Sequence, residues 1–143
     1  TAKFISDKEL KNVKILPYQS EDMFPKYLAS SDVSLVTLAQ GMEGLSVPSK
    51  IYSSLAAGLP IIGILNKSSE VASIISESEC GYISSPGDVD MLVDEIQQLY
   101  SNKYKVEKMG FNARREFEKQ YSKEIGVNKH INLVNSVLSG NIQ

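Results

Sequence analysis

Short apolar runs alternate along the chain with segments whose apolar residues recur at helical spacing. Strands that alternate with helices indicate βαβ units, and therefore an α/β fold with a parallel sheet flanked by helices. We predict four strands, at residues 13–16, 33–38, 60–65 and 81–84.

The helix predictions depend on capping residues as well as on spacing. Asp22 is the predicted N-cap of a helix over residues 23–30, with Pro25 in its first turn. Pro48 opens a helix over residues 48–57 that ends at Gly58, and residues 66–69 cap a helix over residues 70–77. Asp88 caps the next helix, which runs through Tyr100. Two more helices are predicted from apolar positions at Val106, Met109, Ala113, Phe117 and Tyr121, and at Val127, Ile131, Val134 and Leu138.

Length and composition restrict the function classes. The 143 residues predict one domain, and 42% hydrophobic with 22% charged residues is typical of a globular protein. A net charge of -2 argues against nucleic acid as the main partner. Cys80 is the single cysteine, so we expect a reducing compartment and a cytoplasmic protein. The sequence begins without methionine, and we expect it to be a piece of a longer protein.

The loop over residues 41–47 is the strongest candidate for a site. It joins the carboxyl end of a predicted strand to a helix N-terminus, where open α/β sheets bind ligands. The amides of Gly44, Leu45 and Ser46 suit an anion or a sugar, and Glu43 can accept hydrogen bonds from sugar hydroxyls. Lys50 opposes the helix dipole, which a bound phosphate would explain. The alternative is a plain connection in which Lys50 points to solvent.

Several other sites are excluded or weak. No Gly-x-Gly-x-x-Gly or Walker motif is present, and one cysteine with one histidine cannot build a zinc site, so we expect no metal and no cofactor. His130 falls on the polar side of the last predicted helix and is interpreted as a surface residue. Cys80 is interpreted as a small buried packing residue.

The run Glu43-Gly-Leu-Ser-Val-Pro-Ser-Lys-Ile-Tyr-Ser-Ser-Leu-Ala-Ala-Gly-Leu-Pro-Ile-Ile62 resembles the donor-site signature of GT-B glycosyltransferases of family 4. It is most similar to the bacterial surface-polysaccharide branch with a Pro-Ser-Lys motif. Matching stretches around Asn12–Gln19, Tyr27–Val36, Cys80–Asp88 and Met109–Arg114 follow in the family's order. The resemblance covers nearly the whole chain and implies a Rossmann-like domain, the C-terminal donor half of such an enzyme.

The resemblance also implies roles for individual residues. Glu43 would hold hydroxyls of the donor sugar, and the amides of Gly44, Leu45 and Ser46 would meet the sugar and diphosphate. The Pro-Ser-Lys motif would place Ser49 and Lys50 near the phosphates. Pro17 and Tyr18 would face the base.

This sequence departs from the family pattern at Ser53, where the family has a glutamate that grips the ribose. A serine hydroxyl cannot accept two ribose hydroxyls as a carboxylate does. The family's basic Arg/Lys pair is not recognisable, and the N-terminal acceptor-binding domain, the partner in such an enzyme, is absent from residues 1–143.

The resemblance implies transfer of a sugar from a nucleotide-sugar, with a UDP-sugar favoured over a GDP-sugar, to a glycan or lipid-linked acceptor in capsule, O-antigen or exopolysaccharide synthesis. Retention without a metal is expected, and the isolated piece is expected to bind nucleotide weakly without transferase activity. The alternatives are a non-enzymatic Rossmann-like binding or regulatory module and a GT-B-fold nucleotide-sugar epimerase. A membrane or partner surface on the last helices is a further alternative, although their mixed charges are typical of a solvated face.

Overall fold

The computed structural model describes residues 2–140. Its centre is a parallel sheet in which strand order follows chain order: β1 (Ser34–Thr37), β2 (Ile61–Ile64) and β3 (Gly81–Ser84). The predicted α/β class, a Rossmann-like parallel sheet flanked by helices, is confirmed. The α-helices of the described residues are α1 (Ala2–Asp7), α2 (Phe24–Ala29), α3 (Lys50–Ala56), α4 (Glu70–Glu77), α5 (Val89–Ser101), α6 (Lys103–Glu116) and α7 (Lys123–Leu138).

Helices α3 and α4 cover one face of the sheet. The hydroxyl groups of Ser34 in β1 and Ser54 in α3 are joined by a hydrogen bond of 2.7 Å. On the same face Gly63 lies against Ile75 of α4, since a Cβ added to Gly63 would stand 2.9 Å from Ile75 Cδ1. Both helices connect neighbouring parallel strands, and right-handed crossovers place them on one side.

Helix α5 covers the opposite face, but only over two strands. Tyr82 donates a hydrogen bond to Gln98, and Ser84 donates one to Glu95. Both strand residues alternate with the positions that face α3 and α4, so their partners lie on the other side. Leu35 of β1 shares this second face and remains 43% exposed, because α5 packs against β2 and β3.

The core lies between the sheet and the first helix layer. It consists of apolar side chains from α3, α4 and α6 and from residues in or directly beside the strands. All of them are buried. Cys80 is fully buried among them, as predicted. The core residues are Val36, Leu38, Ile51, Leu55, Ile61, Leu65, Val71, Ala72, Ile74, Ile75, Cys80 and Ala113.

The predicted strand at residues 13–16 is wrong. The structure gives this segment no regular hydrogen bonding, and Val13, Ile15 and Leu16 are 41%, 57% and 56% exposed. A strand is stabilised by its neighbour, and none of the three strands in residues 2–140 pairs with this segment. The local alternation of apolar residues is therefore not sufficient to form a strand here.

Two predicted helix starts also need correction. Met23, and not Asp22, precedes α2, and no side chain caps that helix, although Pro25 lies in its first turn as predicted. Helix α3 begins at Lys50 and not at Pro48, because the carbonyl of Pro48 accepts the N–H of Ile51 in a tight turn at 3.1 Å. Shifts of one or two residues are common at helix ends.

Other local predictions are confirmed. Helix α4 spans Glu70–Glu77, and Ser69 Oγ accepts the N–H of Ala72 at 3.2 Å. Asp88 caps α5 by accepting the N–H of Met91 at 3.0 Å. Gly58 ends α3 with a φ of 68°, the left-handed conformation that glycine adopts without strain.

The two predicted C-terminal helices are present, but their apolar faces differ in burial. Helix α6 continues into a π-helical segment, Phe117–Tyr121, that packs against α3. Helix α7 follows from Ser122 and has no buried residue; its predicted apolar positions, from Val127 at 48% to Leu138 at 80%, are exposed. Within residues 2–140 no helix has the length and apolar character required to cross a membrane.

Candidate functional site

The loop over residues 41–48 leaves the carboxyl end of β1 and leads into α3, as predicted. Gly41 and Gly44 have φ values of 83° and 77°, which other residues rarely adopt. No atom lies within 4 Å of a Cβ built on either glycine. The loop therefore needs glycine for backbone conformation, and space remains open beside it.

Two of the predicted ligand-binding amides have partners inside the loop. The N–H groups of Leu45 and Ser46 both donate to the carbonyl oxygen of Met42 at 3.1 Å. A ligand that accepts from these amides must replace the Met42 carbonyl. Leu45 is also 79% exposed, so the loop is held by its own turn and little by side-chain packing.

A cleft of about 140 Å³ lies between this loop and the start of α4. It brings together three of the predicted residues, Gly44, Leu45 and Ser46, with the residues that begin the next helix. The lining consists of Leu38, Gly44, Leu45, Ser46, Val47, Ser69, Glu70 and Val71.

Glu43 has an unsatisfied carboxylate oxygen. Its Oε1 is buried and has no hydrogen-bond partner within residues 2–140. A buried carboxylate oxygen without a donor is costly, and native proteins rarely leave one unless a water, an ion or a ligand supplies the donor. Glu43 therefore needs an external hydrogen-bond donor, and a sugar hydroxyl is one.

Ser49, Lys50 and Ser53 lie next to the cleft in sequence but do not line it. Ser49 precedes α3 without capping it through its side chain, and Lys50 is exposed. Ser53 Oγ donates to the carbonyl oxygen of Lys50 at 3.0 Å. The Ser53 hydroxyl is thus already engaged with its own helix.

Pro17 and Tyr18 are not brought to the cleft in this structure. Tyr18 is 97% exposed, and the carbonyl of Pro17 accepts a hydrogen bond from Gln19 Nε2 at 2.7 Å. Both directly follow residues 13–16, the segment that forms no strand. Their predicted contact with a base stays a prediction.

Ser69 and Glu70 line the cleft although the sequence indicated only a helix start at this point. Residues 66–69 were expected to cap α4, and within them Ser69 does so. No local signal placed this helix beside the loop over residues 41–48, which is 20 residues or more upstream. The register of β1 on β2 sets that distance, because the last residues of the two strands, Thr37 and Ile64, are paired.

Tyr52 and Tyr121 form an aromatic pair close to the start of α4. Their ring centroids are 5.1 Å apart with a tilt of 52°. Burial raises the pKa of Tyr52, and the negative charge of Glu70 raises it further. Burial is likewise the main cause of the raised pKa of Tyr121, with Glu116, Tyr52, Glu70 and Glu77 adding to it. Both phenols remain protonated at neutral pH.

No three His, Cys, Asp or Glu side chains of the described residues stand close enough to hold a metal ion. His130 is exposed, and its Nδ1 lies 2.8 Å from the carbonyl oxygen of Gly126 one turn earlier, as expected for a surface histidine. Burial raises the pKa of the Cys80 thiol, which makes it a poor nucleophile at neutral pH.

Sequence comparison relates this arrangement to a known family. Residues 2–116 match the family described as glycosyl transferases group 1. The chain belongs to this family. A probable glycosyltransferase, WbjE of Pseudomonas aeruginosa, is 38% identical to it over 115 residues. That match covers 78% of this chain and 28% of the WbjE protein, so the chain spans less than a third of its relative.

The matched part of this group 1 domain contains the sheet, the loop over residues 41–48, the cleft and helices α1 to α6. The π-helical segment and α7 follow it. The candidate site thus lies wholly within the region that defines the family.

Proposed function

We propose that this chain is the nucleotide-sugar-binding domain of a GT-B glycosyltransferase, the C-terminal half of a two-domain enzyme. The observation that carries the proposal is the buried, unpartnered Oε1 of Glu43, which does not itself line the cleft but directly precedes Gly44, Leu45 and Ser46, which do. The cleft lies at the carboxyl edge of the parallel sheet, where ligands of open α/β sheets bind. Membership of the glycosyl transferases group 1 family supports a sugar as the ligand.

In this proposal Glu43 accepts a hydrogen bond from a hydroxyl of the donor sugar. Gly44, Leu45 and Ser46 donate backbone N–H groups to the sugar and diphosphate, with Leu45 and Ser46 exchanging the Met42 carbonyl for the ligand. Ser49 and Lys50 approach the phosphates. The exposed ammonium of Lys50 compensates the charge that develops on the leaving diphosphate.

Contacts to the nucleoside are proposed for Pro17, Tyr18 and Ser53. The exposure of Tyr18 means that residues 11–20 must come to the cleft for the base to be held. Ser53 can contribute one hydrogen bond to the ribose through its oxygen lone pairs, since its proton is directed to Lys50.

The finer assignments follow the family resemblance. We propose a UDP-sugar as donor, transfer with retention, no metal or other cofactor, and a cytoplasmic role in bacterial surface-polysaccharide synthesis. A second, acceptor-binding domain completes the catalytic cleft, so this chain alone binds nucleotide without transferring sugar. The relative's name, probable glycosyltransferase, supports the reaction class.

Calorimetric titration of the chain with UDP, GDP and NAD tests the proposal. We expect UDP or GDP to bind and NAD not to bind. Lys50→Ala should weaken nucleotide binding about tenfold, as loss of a charge-assisted contact does, whereas Lys108→Ala, an exposed lysine of α6, is the matched control and should not. Glu43→Gln should leave UDP binding unchanged and weaken binding of the matching nucleotide-sugar.

Absence of binding by UDP and GDP, in a sample whose circular dichroism shows a folded α/β domain, would contradict the proposal. If Lys50→Ala and Lys108→Ala weakened nucleotide binding equally, the proposed contact of Lys50 with the phosphates would be contradicted.

A further inference from the structure

The cleft between the loop over residues 41–48 and the start of α4 has one charged side chain in its lining, and the charge of that side chain is negative. Glu70 contributes a carboxylate, whereas the other polar groups of the lining are backbone and the hydroxyls of Ser46 and Ser69. No lysine or arginine lines it. Lys50 and Lys67 flank the two walls in sequence, but neither reaches the cleft lining.

The Glu70 carboxylate is available to a ligand. Glu70 is the first residue of α4, directly after the N-cap Ser69, and it is exposed. Within residues 2–140 no hydrogen bond or salt bridge engages its carboxylate. Its negative charge extends to Tyr52 and Tyr121, as their raised pKa values show after the larger effect of burial.

A second carboxylate stands in the adjacent loop. Glu43 has its buried Oε1 without a donor, which independently indicates a ligand that brings hydrogen-bond donors to this edge. Glu43 is not among the residues that line the cleft, so the carboxylate that a sugar inside the cleft meets is that of Glu70. A sugar with a carboxylate of its own meets negative charge and no compensating cation in the cleft.

We propose that Glu70 determines specificity for the sugar of the donor: it accepts a hydroxyl hydrogen bond and excludes acidic sugars, so the cleft takes an uncharged sugar unit. The inference rests on the proposed function, since it concerns the sugar end of the same donor site. Specificity arises here from a repulsive element as much as from an attractive one.

Titrations with matched ligands test this role. For wild type we compare UDP, UDP-glucose and UDP-glucuronate, or GDP, GDP-mannose and GDP-mannuronate if GDP is the nucleotide that binds. We expect the neutral sugar to bind about tenfold more tightly than the acidic one, the effect of one like charge several ångströms away at partial screening. Glu70→Gln should narrow this ratio to about threefold or less without weakening the binding of the nucleoside diphosphate, because the substitution removes a negative charge.

The control is Glu77→Gln, which removes the same charge from the other end of α4, at an exposed position outside the cleft. Glu77→Gln should preserve the ratio of affinities for the neutral and the acidic nucleotide-sugar. A purely structural role of Glu70 at the helix start would lower the stability of the protein without altering the ratio.

If Glu70→Gln bound the nucleoside diphosphate normally and kept the same ratio of affinities for the neutral and the acidic nucleotide-sugar, this inference would be overturned and the proposed function would stand. Wild type that binds the acidic sugar as tightly as the neutral one would overturn it as well. Failure of both UDP and GDP to bind would overturn the proposed function, and this inference with it.

Discussion

Gly110 of α6 lies directly against the carbonyl oxygen of Gly58, the residue that ends α3. A Cβ on Gly110 would stand 2.5 Å from that oxygen, closer than any real Cβ contact. One turn later Arg114 Nη1 donates to the carbonyl of Ala56 at 2.6 Å. The two contacts fix α6 across the C-terminal end of α3, and thereby hold the helix into which the loop over residues 41–48 leads.

Gly110→Ala should therefore destabilise the protein. The added methyl group meets backbone, which cannot move aside like a flexible side chain, so we expect a loss of about 1–3 kcal/mol in the free energy of unfolding. Urea denaturation followed by circular dichroism measures it. Gly126→Ala is the matched control, because nothing lies within 4 Å of its Cβ in α7.

In the control, alanine replaces glycine inside a helix and should stabilise the protein by about 0.5–1 kcal/mol. A similar effect of both substitutions would show that helix propensity, and not the contact with Gly58, governs position 110.

Ser84 and Glu95 form a buried pair between β3 and α5. Ser84 is fully buried and Glu95 is 4% exposed, and the hydroxyl donates to Oε2 at 2.6 Å. Ser84→Ala removes the donor and leaves a buried carboxyl oxygen without it, so we expect a loss of about 1–3 kcal/mol. Urea denaturation again measures the change.

The double variant Ser84→Ala with Glu95→Gln separates the pair from its surroundings. A double-mutant cycle should give a coupling energy of about 0.5–3 kcal/mol, as for residues in contact. Additive effects of the two single substitutions would contradict an energetic role for this hydrogen bond.

The Ser69 cap joins helix stability to the shape of the cleft. Its Oγ accepts the N–H of Ala72, and the residue is 2% exposed. Ser69→Ala should cost about 1 kcal/mol, the usual value for loss of an N-cap. Ser69→Asp should retain more of the stability than Ser69→Ala, since aspartate also caps; equal losses from the two changes would contradict a capping role.

Alkaline pH should weaken the fold. Burial raises the pKa of Cys80, and burial also raises the pKa of Tyr52 and of Tyr121. A raised pKa in an acid group means that the folded state favours the neutral form. The stabilisation is complete below the pKa of the unfolded group, and it is lost as pH rises through the folded pKa.

For the thiol this loss begins above about pH 8.5 and for the phenols above about pH 10. Urea unfolding between about pH 8 and pH 10 should show the decline that is due to the thiol, and Cys80→Ala should flatten it. An identical pH profile in wild type and Cys80→Ala would contradict the thiol's part. As Cys80 is the single cysteine, its slow reaction with a thiol reagent in the native state gives a second check.

Local signals in the sequence determined much of the fold. Periodic apolar residues with a cap in residues 66–69 predicted α4 at its observed bounds, and Gly58 marked the end of α3. Capping and helix periodicity act between residues three or four apart, so the sequence alone contains them. The apolar runs that became β1, β2 and β3 predicted the parallel α/β class for the same reason.

The wrong strand prediction concerns a partner that is distant in sequence. Residues 13–16 alternate as a strand does, but no neighbouring strand of the described residues pairs with them. The prediction that the amides of Leu45 and Ser46 meet a ligand stays a prediction, since in this structure both amides donate to the Met42 carbonyl. A backbone N–H group donates to the carbonyl that the folded loop brings close to it, and the sequence does not indicate which carbonyl that is.

The sequence by itself determined the family, the loop and Glu43 as the residue of interest. Tertiary structure alone decided that Ser69 and Glu70 share a cleft with Gly44 and Ser46, and that Oε1 of Glu43 is buried without a partner. Parallel pairing of β1 with β2 brings the two loops to one edge of the sheet. That pairing joins residues distant in sequence, so the sequence alone could not predict which side chains line the cleft.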